Sequence, residues 1–229
     1  MIYTLALIAL TVIFAVACVV FRSKNKSFYG MICKFMASFG FIAITVYGNW
    51  MNGGANLKYF SFITIALMFG FCGDIFLGIK EVAPSFRKKL IIMGTAYFLV
   101  GHIFYLLAFH SIGGINLYTF IAGIAGIGAA AAIIKIAKMM LKPAFAVLLS
   151  IYYGLLFWKI AAAISLLIAE VTTANIFILA GCVLFLISDT CLGLLYFTPI
   201  KRKNLFVTVE LSTYYPAQIL LALSVMLMK

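Results

Sequence analysis

Eight apolar runs divide this chain, at about 2 to 21, 31 to 48, 59 to 79, 90 to 110, 117 to 134, 144 to 168, 175 to 197 and 205 to 228, and each is long enough to cross the hydrocarbon core of a bilayer. They are too long and too evenly apolar for barrel strands, which alternate in and out over about ten residues. A helix is the form that satisfies every backbone N–H and C=O inside such a segment. Composition points the same way: 66% hydrophobic residues, 10% charged residues and a mean hydropathy of +1.22 leave too little polar surface to clothe a soluble globule. The expected fold is an all-α polytopic membrane bundle of about eight transmembrane helices, one integral membrane domain over residues 1–229. No segment between runs exceeds about eleven residues, so whatever the protein does, it does in the bundle. The first run lacks a basic start, and its first positive charge, Arg22, follows the apolar stretch. It therefore reads as a retained span and not as a cleaved leader.

The connecting segments carry a one-sided charge bias. Arg22, Lys24 and Lys26 lie between runs 1 and 2; Lys80, Arg87, Lys88 and Lys89 between 3 and 4; Lys135, Lys138 and Lys142 between 5 and 6; Lys201, Arg202 and Lys203 between 7 and 8. Against these thirteen stand Lys58 and Lys229 at the opposite face. The positive-inside rule makes the basic loops cytoplasmic and puts both termini outside, and the short loops suit a bacterial inner membrane. The net charge of +12 is then a matter of topology and of contact with anionic bilayer lipids. Charges split among short loops give no surface for nucleic acid, and no obligate protein partner is evident.

Two aspartates stand inside apolar runs, Asp74 in GDIFLG and Asp189 in SDTCLG, 115 residues apart. A carboxylate near the middle of a spanning helix costs about 2.5 to 3.5 kcal/mol, so two of them need a reason. The offset, and the following His102 and Gln218 at similar distances, suggest a 4+4 parallel pseudo-repeat of helices. With ~1.5 Å per residue, Asp74 lies roughly 8 Å and Asp189 roughly 12 Å from the cytoplasmic helix ends. Lys34 and Glu210 reach a similar depth from the other direction; Tyr214 and Tyr215 lie a turn deeper, and His102 and Gln218 near the middle.

Two readings of the aspartates follow. Each is a structural partner, Asp74 for Lys34 and Asp189 for a tyrosine or His102. Otherwise the two face each other across a polar pocket and share acid and base work. Membrane acids on repeated halves also fit a proton-coupled transporter of small molecules or lipids, although a carrier's site is expected at the midplane. Five cysteines, Cys18, Cys33, Cys72, Cys182 and Cys191, sit in apolar runs without metal-ligand spacing and read as small core residues. One histidine at depth does not make a zinc site, so no metal or other cofactor is expected. His110 reads as a surface residue at a span end, Lys159 as a snorkelling lysine outside the site, and Lys80 with Glu81 as a solvated loop. The small residues of AGIAGIGAAAA read as a close-packing face. Pro216, inside the last run, removes a backbone bond to Ser212 beside Tyr214, Tyr215 and Gln218.

Together these landmarks resemble the YhhN-like membrane proteins, the family that includes the lysoplasmalogenases. The resemblance rests on Lys34, on GDIFL from Gly73, on Gly94, Phe98, His102 and Tyr105, on LFLISD ending at Asp189, and on TYYPAQ from Thr213 to Gln218. Phe35 stands where the family often has proline, and Glu210 lies outside the pattern. The resemblance implies a hydrolase that cleaves the vinyl ether of a lysophospholipid, lysoplasmalogen, into a fatty aldehyde and a glycerophospho-ethanolamine or -choline. Vinyl ethers are cleaved by acid, and Asp74 and Asp189 are assigned as the acid and the stabilising carboxylate, in either order. Lys34 would hold a phosphate or tune an aspartate, while His102, Tyr214, Tyr215 and Gln218 would orient water and headgroup. Tyr105, Ser188 and Glu210 complete the candidate set.

Overall fold

Helix starts follow the local chemistry of the chain. Asn56, Asn116 and Thr172 each accept a hydrogen bond from the backbone N–H three residues on, and Pro143 opens its helix where a missing donor costs nothing. The tight turn after the second helix is made by Gly53 and Gly54, both left-handed, which a residue with a side chain rarely tolerates. A computed structural model describes residues 2–113 and 116–228. Its helices are α1 (Ile2–Ser23), α2 (Ser27–Met51), α3 (Leu57–Ile79), α4 (Arg87–Gly113), α5 (Leu117–Ile136), α6 (Pro143–Ala169), α7 (Thr173–Phe197) and α8 (Lys203–Leu227). A short 3₁₀ turn, Pro84–Phe86, leads into α4. The eight expected spans are all present, within a few residues at each end. Lys229, counted above at the face opposite the basic loops, lies outside the described residues.

Among the described residues seven helices, α1 to α7, are long and apolar enough to cross a membrane, which makes this a multi-pass membrane protein. The last helix, α8, is as long but more polar. Its position explains the difference: α8 packs against α7, α2, α1 and α3, and Glu210, Tyr214, Tyr215 and Gln218 are all buried there. Polar side chains can be carried by a helix whose faces meet protein and not hydrocarbon.

Helix neighbours repeat when the chain is shifted by four helices. The pairs α1–α2, α2–α3 and α3–α4 return as α5–α6, α6–α7 and α7–α8, and α2–α8 returns as α6–α4. That is the arrangement expected of a parallel pseudo-repeat. Two contacts lack a counterpart among the described residues: α1 packs on α8, and α3 on α8, whereas α5 does not reach α4 and the α7 backbone does not closely approach α4.

Glycines set the closest approaches. A Cβ at Gly126 of α5 would come within 2.6 Å of Phe157 Cβ and 2.9 Å of the Tyr153 carbonyl, so the small-residue face of α5 is the face against α6. At Gly101 of α4 a Cβ would lie 3.1 Å from the Ala66 carbonyl of α3. Gly128 meets nothing within 4 Å. Gly126→Ala is therefore expected to destabilise the bundle by about 1–3 kcal/mol through overpacking. Gly128→Ala should stabilise it by about 0.5–1 kcal/mol through helix propensity alone. Thermal unfolding in detergent separates the two, and equal shifts would contradict the packing.

Candidate active site

Asp74 is completely buried, at 0% exposure, and is met by three donors from two other helices. Lys34 Nζ of α2 lies 3.0 Å from Oδ1; Ser38 Oγ, one turn further along α2, donates to Oδ2 at 2.5 Å, and Tyr214 Oη of α8 donates to Oδ2 at 2.6 Å. The Tyr214 hydroxyl in turn accepts from Gln218 Nε2 at 3.0 Å, and Gln218 Oε1 accepts from Tyr105 Oη at 2.6 Å. Four of the expected site residues, Asp74, Tyr214, Gln218 and Tyr105, thus form one hydrogen-bonded chain, with a fifth, Lys34, ion-paired to Asp74 at its end.

Asp189 belongs to a second network. Tyr152 Oη of α6 donates to Oδ2 at 2.6 Å, and His102 Nε2 of α4 lies 3.3 Å from the same oxygen and 2.9 Å from the Tyr152 oxygen. On the far side of the imidazole, Lys159 Nζ lies 3.0 Å from Nδ1. If the amino group donates there, Nε2 carries the proton and points to Asp189 and Tyr152. Lys159 is 0% exposed and rests over the rings of Phe185 and Tyr105, at 4.4 and 5.1 Å from their centroids. It does not snorkel: its helix face looks into the bundle, and cation–π contact with two rings replaces water there.

The two networks are pseudo-equivalent. Asp74 takes donors from α2 and α8, and Asp189 from α6 and α4, the helices that the shift by four exchanges. They do not share a hydrogen-bonded partner. The Phe185 ring stands between them, 4.8 Å from the His102 ring and 5.5 Å from the Tyr214 ring, with Phe98 edge-on to both Phe185 and Tyr214. The partner arrangement expected for each aspartate is what forms, Asp74 with Lys34 and Asp189 with Tyr152 and His102.

Open space lies beyond both aspartates, between Leu77 of α3 and Leu192 of α7, and neither carboxylate lines it. A pocket of about 230 Å³ opens at the end of the bundle that carries the basic loops, with Lys34 and Glu210 among its lining residues. Arg22, Lys80, Arg87 and Lys203 line it as well, together with Glu81. Glu210 is buried and faces this space. Lys80 and Glu81 are not a solvated loop. Lys80 is 3% exposed, lies 4.7 Å over the Tyr196 ring and pairs with Glu81, which also takes Arg22 at 3.1 Å. The helix ends draw together around one carboxylate, which pulls Lys80 inward.

The remaining expected residues, Ser188 and Tyr215, stand outside both hydrogen-bonded networks. Ser188 is buried, with its hydroxyl unpaired; the Tyr215 ring packs on Phe41 and Tyr214 at 6.0 and 5.5 Å. His110 is half-buried against Trp158, at 5.8 Å between rings, and is not a free surface residue. Cys18, Cys33 and Cys182 are buried, and Cys72 and Cys191 partly so. Sequence reasoning missed Ser38, Tyr152, Arg22 and Lys159. The repeat carried a signal for the first two, since Ser38 precedes Asp74 by 36 residues and Tyr152 precedes Asp189 by 37.

The ordered set of Lys34, Asp74, His102, Asp189 and the Tyr214 to Gln218 segment lies in the part of the chain, residues 29–225, that matches the YhhN family model. The chain belongs to the YhhN family. No curated protein and no solved structure matches it. Within this YhhN chain α1 lies outside the matched residues, yet it supplies Cys18 and Arg22 to the pocket.

Two expectations test this electrostatic frame. Removing one member of a buried ion pair strands the other, so Lys34→Met is expected to lower stability by about 3–5 kcal/mol. Pairing it with Asp74→Leu should restore most of that loss in thermal unfolding, because no lone charge remains. The second concerns pH. Burial lowers Lys80 from 10.5 to about 8, with Glu81 only partly opposing it. Burial acts to raise Glu81, but the Lys80 and Arg22 charges together hold it below the ordinary carboxylate value. Between those two Lys80 values the unfolded chain binds the extra proton, so folding stability contributed through Lys80 rises with pH across about 8 to 10.5. The melting temperature of the wild type should therefore gain on that of Lys80→Met as pH is raised through this window, and a widening deficit would refute it.

Proposed function

We propose that this YhhN protein is a membrane hydrolase of the lysoplasmalogenase type, cleaving the vinyl ether of a single-chain phospholipid. The observation that carries the reading is the pocket at the basic end of the bundle, whose lining includes Lys34, the ion-pair partner of the wholly buried Asp74. Lipid headgroups sit at that level of a membrane, and a lysophospholipid in the basic-side leaflet, the cytoplasmic one by the positive-inside rule, could enter it.

Vinyl ethers are hydrolysed by acid, and the steps balance without a redox partner. A carboxylic acid gives its proton to the β-carbon, the C=C π bond breaks, and an oxocarbenium ion forms. A carboxylate stabilises that cation and accepts a proton from water as the water oxygen bonds to the α-carbon. The resulting hemiacetal breaks its bond to the glycerol oxygen, which takes the proton that the carboxylate had accepted from water, while the hemiacetal hydroxyl returns its proton to the carboxylate that began the reaction, and fatty aldehyde and glycerophospho-amine leave. Asp74 and Asp189 are assigned these two carboxyl roles. Tyr214, Gln218 and Tyr105 on one side, and Tyr152, His102 and Lys159 on the other, hold them in place.

Purified protein presented with lysoplasmalogen in detergent is expected to release aldehyde. Asp74→Asn and Asp189→Asn should each lower kcat by at least 100-fold, the scale on which a positioned acid or base contributes. Full activity in both variants would rule out the carboxylates. Substrate binding with no turnover by the wild type would favour a lipid carrier or scaffold instead.

A further inference from the structure

Most basic residues of the loops behave as topological charges. Lys24, Lys26, Lys88, Lys89, Lys201 and Arg202 are all exposed. Arg22 and Lys80 are different, because they are drawn into the pocket wall, where each loses hydration. Their shared partner, Glu81, is one carboxylate for two cations. Around the whole pocket Arg22, Lys34, Lys80, Arg87 and Lys203 face Glu81 and Glu210, with Asp74 behind Lys34. Five cations meet three carboxylates; Arg22 and Lys80 share Glu81, and Arg87 and Lys203 are exposed at the mouth, so the unmatched positive charge lies on the mouth side of the pocket. An ion-pair cluster built for stability alone would gain nothing from that surplus.

Arg22 is also held in place by packing. Its stem crosses α2 at Gly30, where an added Cβ would meet Arg22 Cγ and Cδ at 2.9 Å. The α1–α2 approach at this glycine aims the guanidinium at Glu81 and the pocket. Lys34 is matched one-to-one by the buried Asp74, whereas Arg22 and Lys80 share the single carboxylate of Glu81. The free charge lies nearer the mouth.

We infer that the pocket is a phosphate subsite in which Arg22 and Lys80, helped at the mouth by Arg87 and Lys203, hold the phosphodiester of a lysophospholipid headgroup. A guanidinium and an ammonium set side by side bind phosphate oxygens by charge-assisted hydrogen bonds, and Arg can do so through two of its N–H groups. With the phosphate at the mouth, the glycerol carbons run down toward Lys34 and Glu210. The ether oxygen on the first glycerol carbon then arrives at the depth of Asp74, ~8 Å inside the helix end. The lipid part of this inference rests on the hydrolase reading; the phosphate part rests on the charges and the cavity.

The test is equilibrium binding to the full-length protein in detergent, using glycerophosphoethanolamine, lysophosphatidylethanolamine and inorganic phosphate as probes. Wild type is expected to bind the first two saturably, the lysolipid at least tenfold tighter than inorganic phosphate, with inorganic phosphate competing. Arg22→Gln and Lys80→Gln should each weaken binding tenfold or more, Arg22→Lys less, and the exposed Lys88→Gln not at all. Gly30→Ala, which leaves every charge present but displaces the Arg22 stem, should weaken it as well. Binding unchanged in Arg22→Gln and Lys80→Gln, or no saturable binding, overturns the subsite. Inorganic phosphate binding as tightly as the lysolipid overturns the lipid assignment. Aldehyde release that survives while headgroup binding ignores these substitutions leaves the hydrolase standing without this subsite. Headgroup binding that follows the expected pattern without aldehyde release supports the subsite and removes the reaction.

Discussion

The structure depends on how Asp74 is satisfied. In an apolar interior there is no water to solvate a carboxylate, so its oxygens must be met by donors, and those donors have to come from other helices. Lys34 and Ser38 bring α2 to α3, and Tyr214 brings α8. One side chain therefore ties three helices together at one depth. It also explains why the least apolar helix, α8, lies inside the bundle: a tyrosine, a glutamine and a glutamate are tolerated there because each faces protein or the pocket.

The same solution appears twice. Asp189 is met from α6 and α4, as Asp74 is from α2 and α8, so each half supplies donors to the other's carboxylate. The halves are interlocked by hydrogen bonds and not merely packed side by side. The symmetry then breaks in a useful way. Near Asp74, α1 packs on α8 and contributes Arg22 to the pocket beneath the basic loops. Near Asp189 the equivalent position has no such helix among the described residues, and a histidine with a buried lysine behind it fills the interior. Two similar carboxylates thus come to occupy unlike surroundings, the usual way in which two acids acquire distinct tasks.

Phe185 and Phe98 give the partition its shape. Their edges meet the Tyr214 ring, and Phe185 meets His102, so an aromatic wall stands between the networks. Aromatic edges carry partial positive charge and suit such polar neighbours better than aliphatic side chains would.

The sequence by itself determined the class of fold, the number and bounds of the helices, the layer in which polar groups gather and the family. The first three follow from local properties, the length of an apolar run, about 1.5 Å of rise per residue and the cost of a charge in hydrocarbon, while the family rests on the ordered residues from Lys34 to Gln218. Asp74 with Lys34, and Asp189 with His102, were legible as pairs because few polar groups share that depth. What only the tertiary structure decided is which way each helix face turns. Lys159 could have reached headgroups had α6 been rotated toward lipid; instead it meets His102. Lys80 and Glu81 could have stayed in solvent had α1 ended elsewhere; instead Arg22 joins them around a pocket. Helix rotation and neighbour choice are set by many weak contacts, such as Gly30 beneath Arg22 and Gly126 beneath Phe157, and these are nearly silent in a uniformly apolar run.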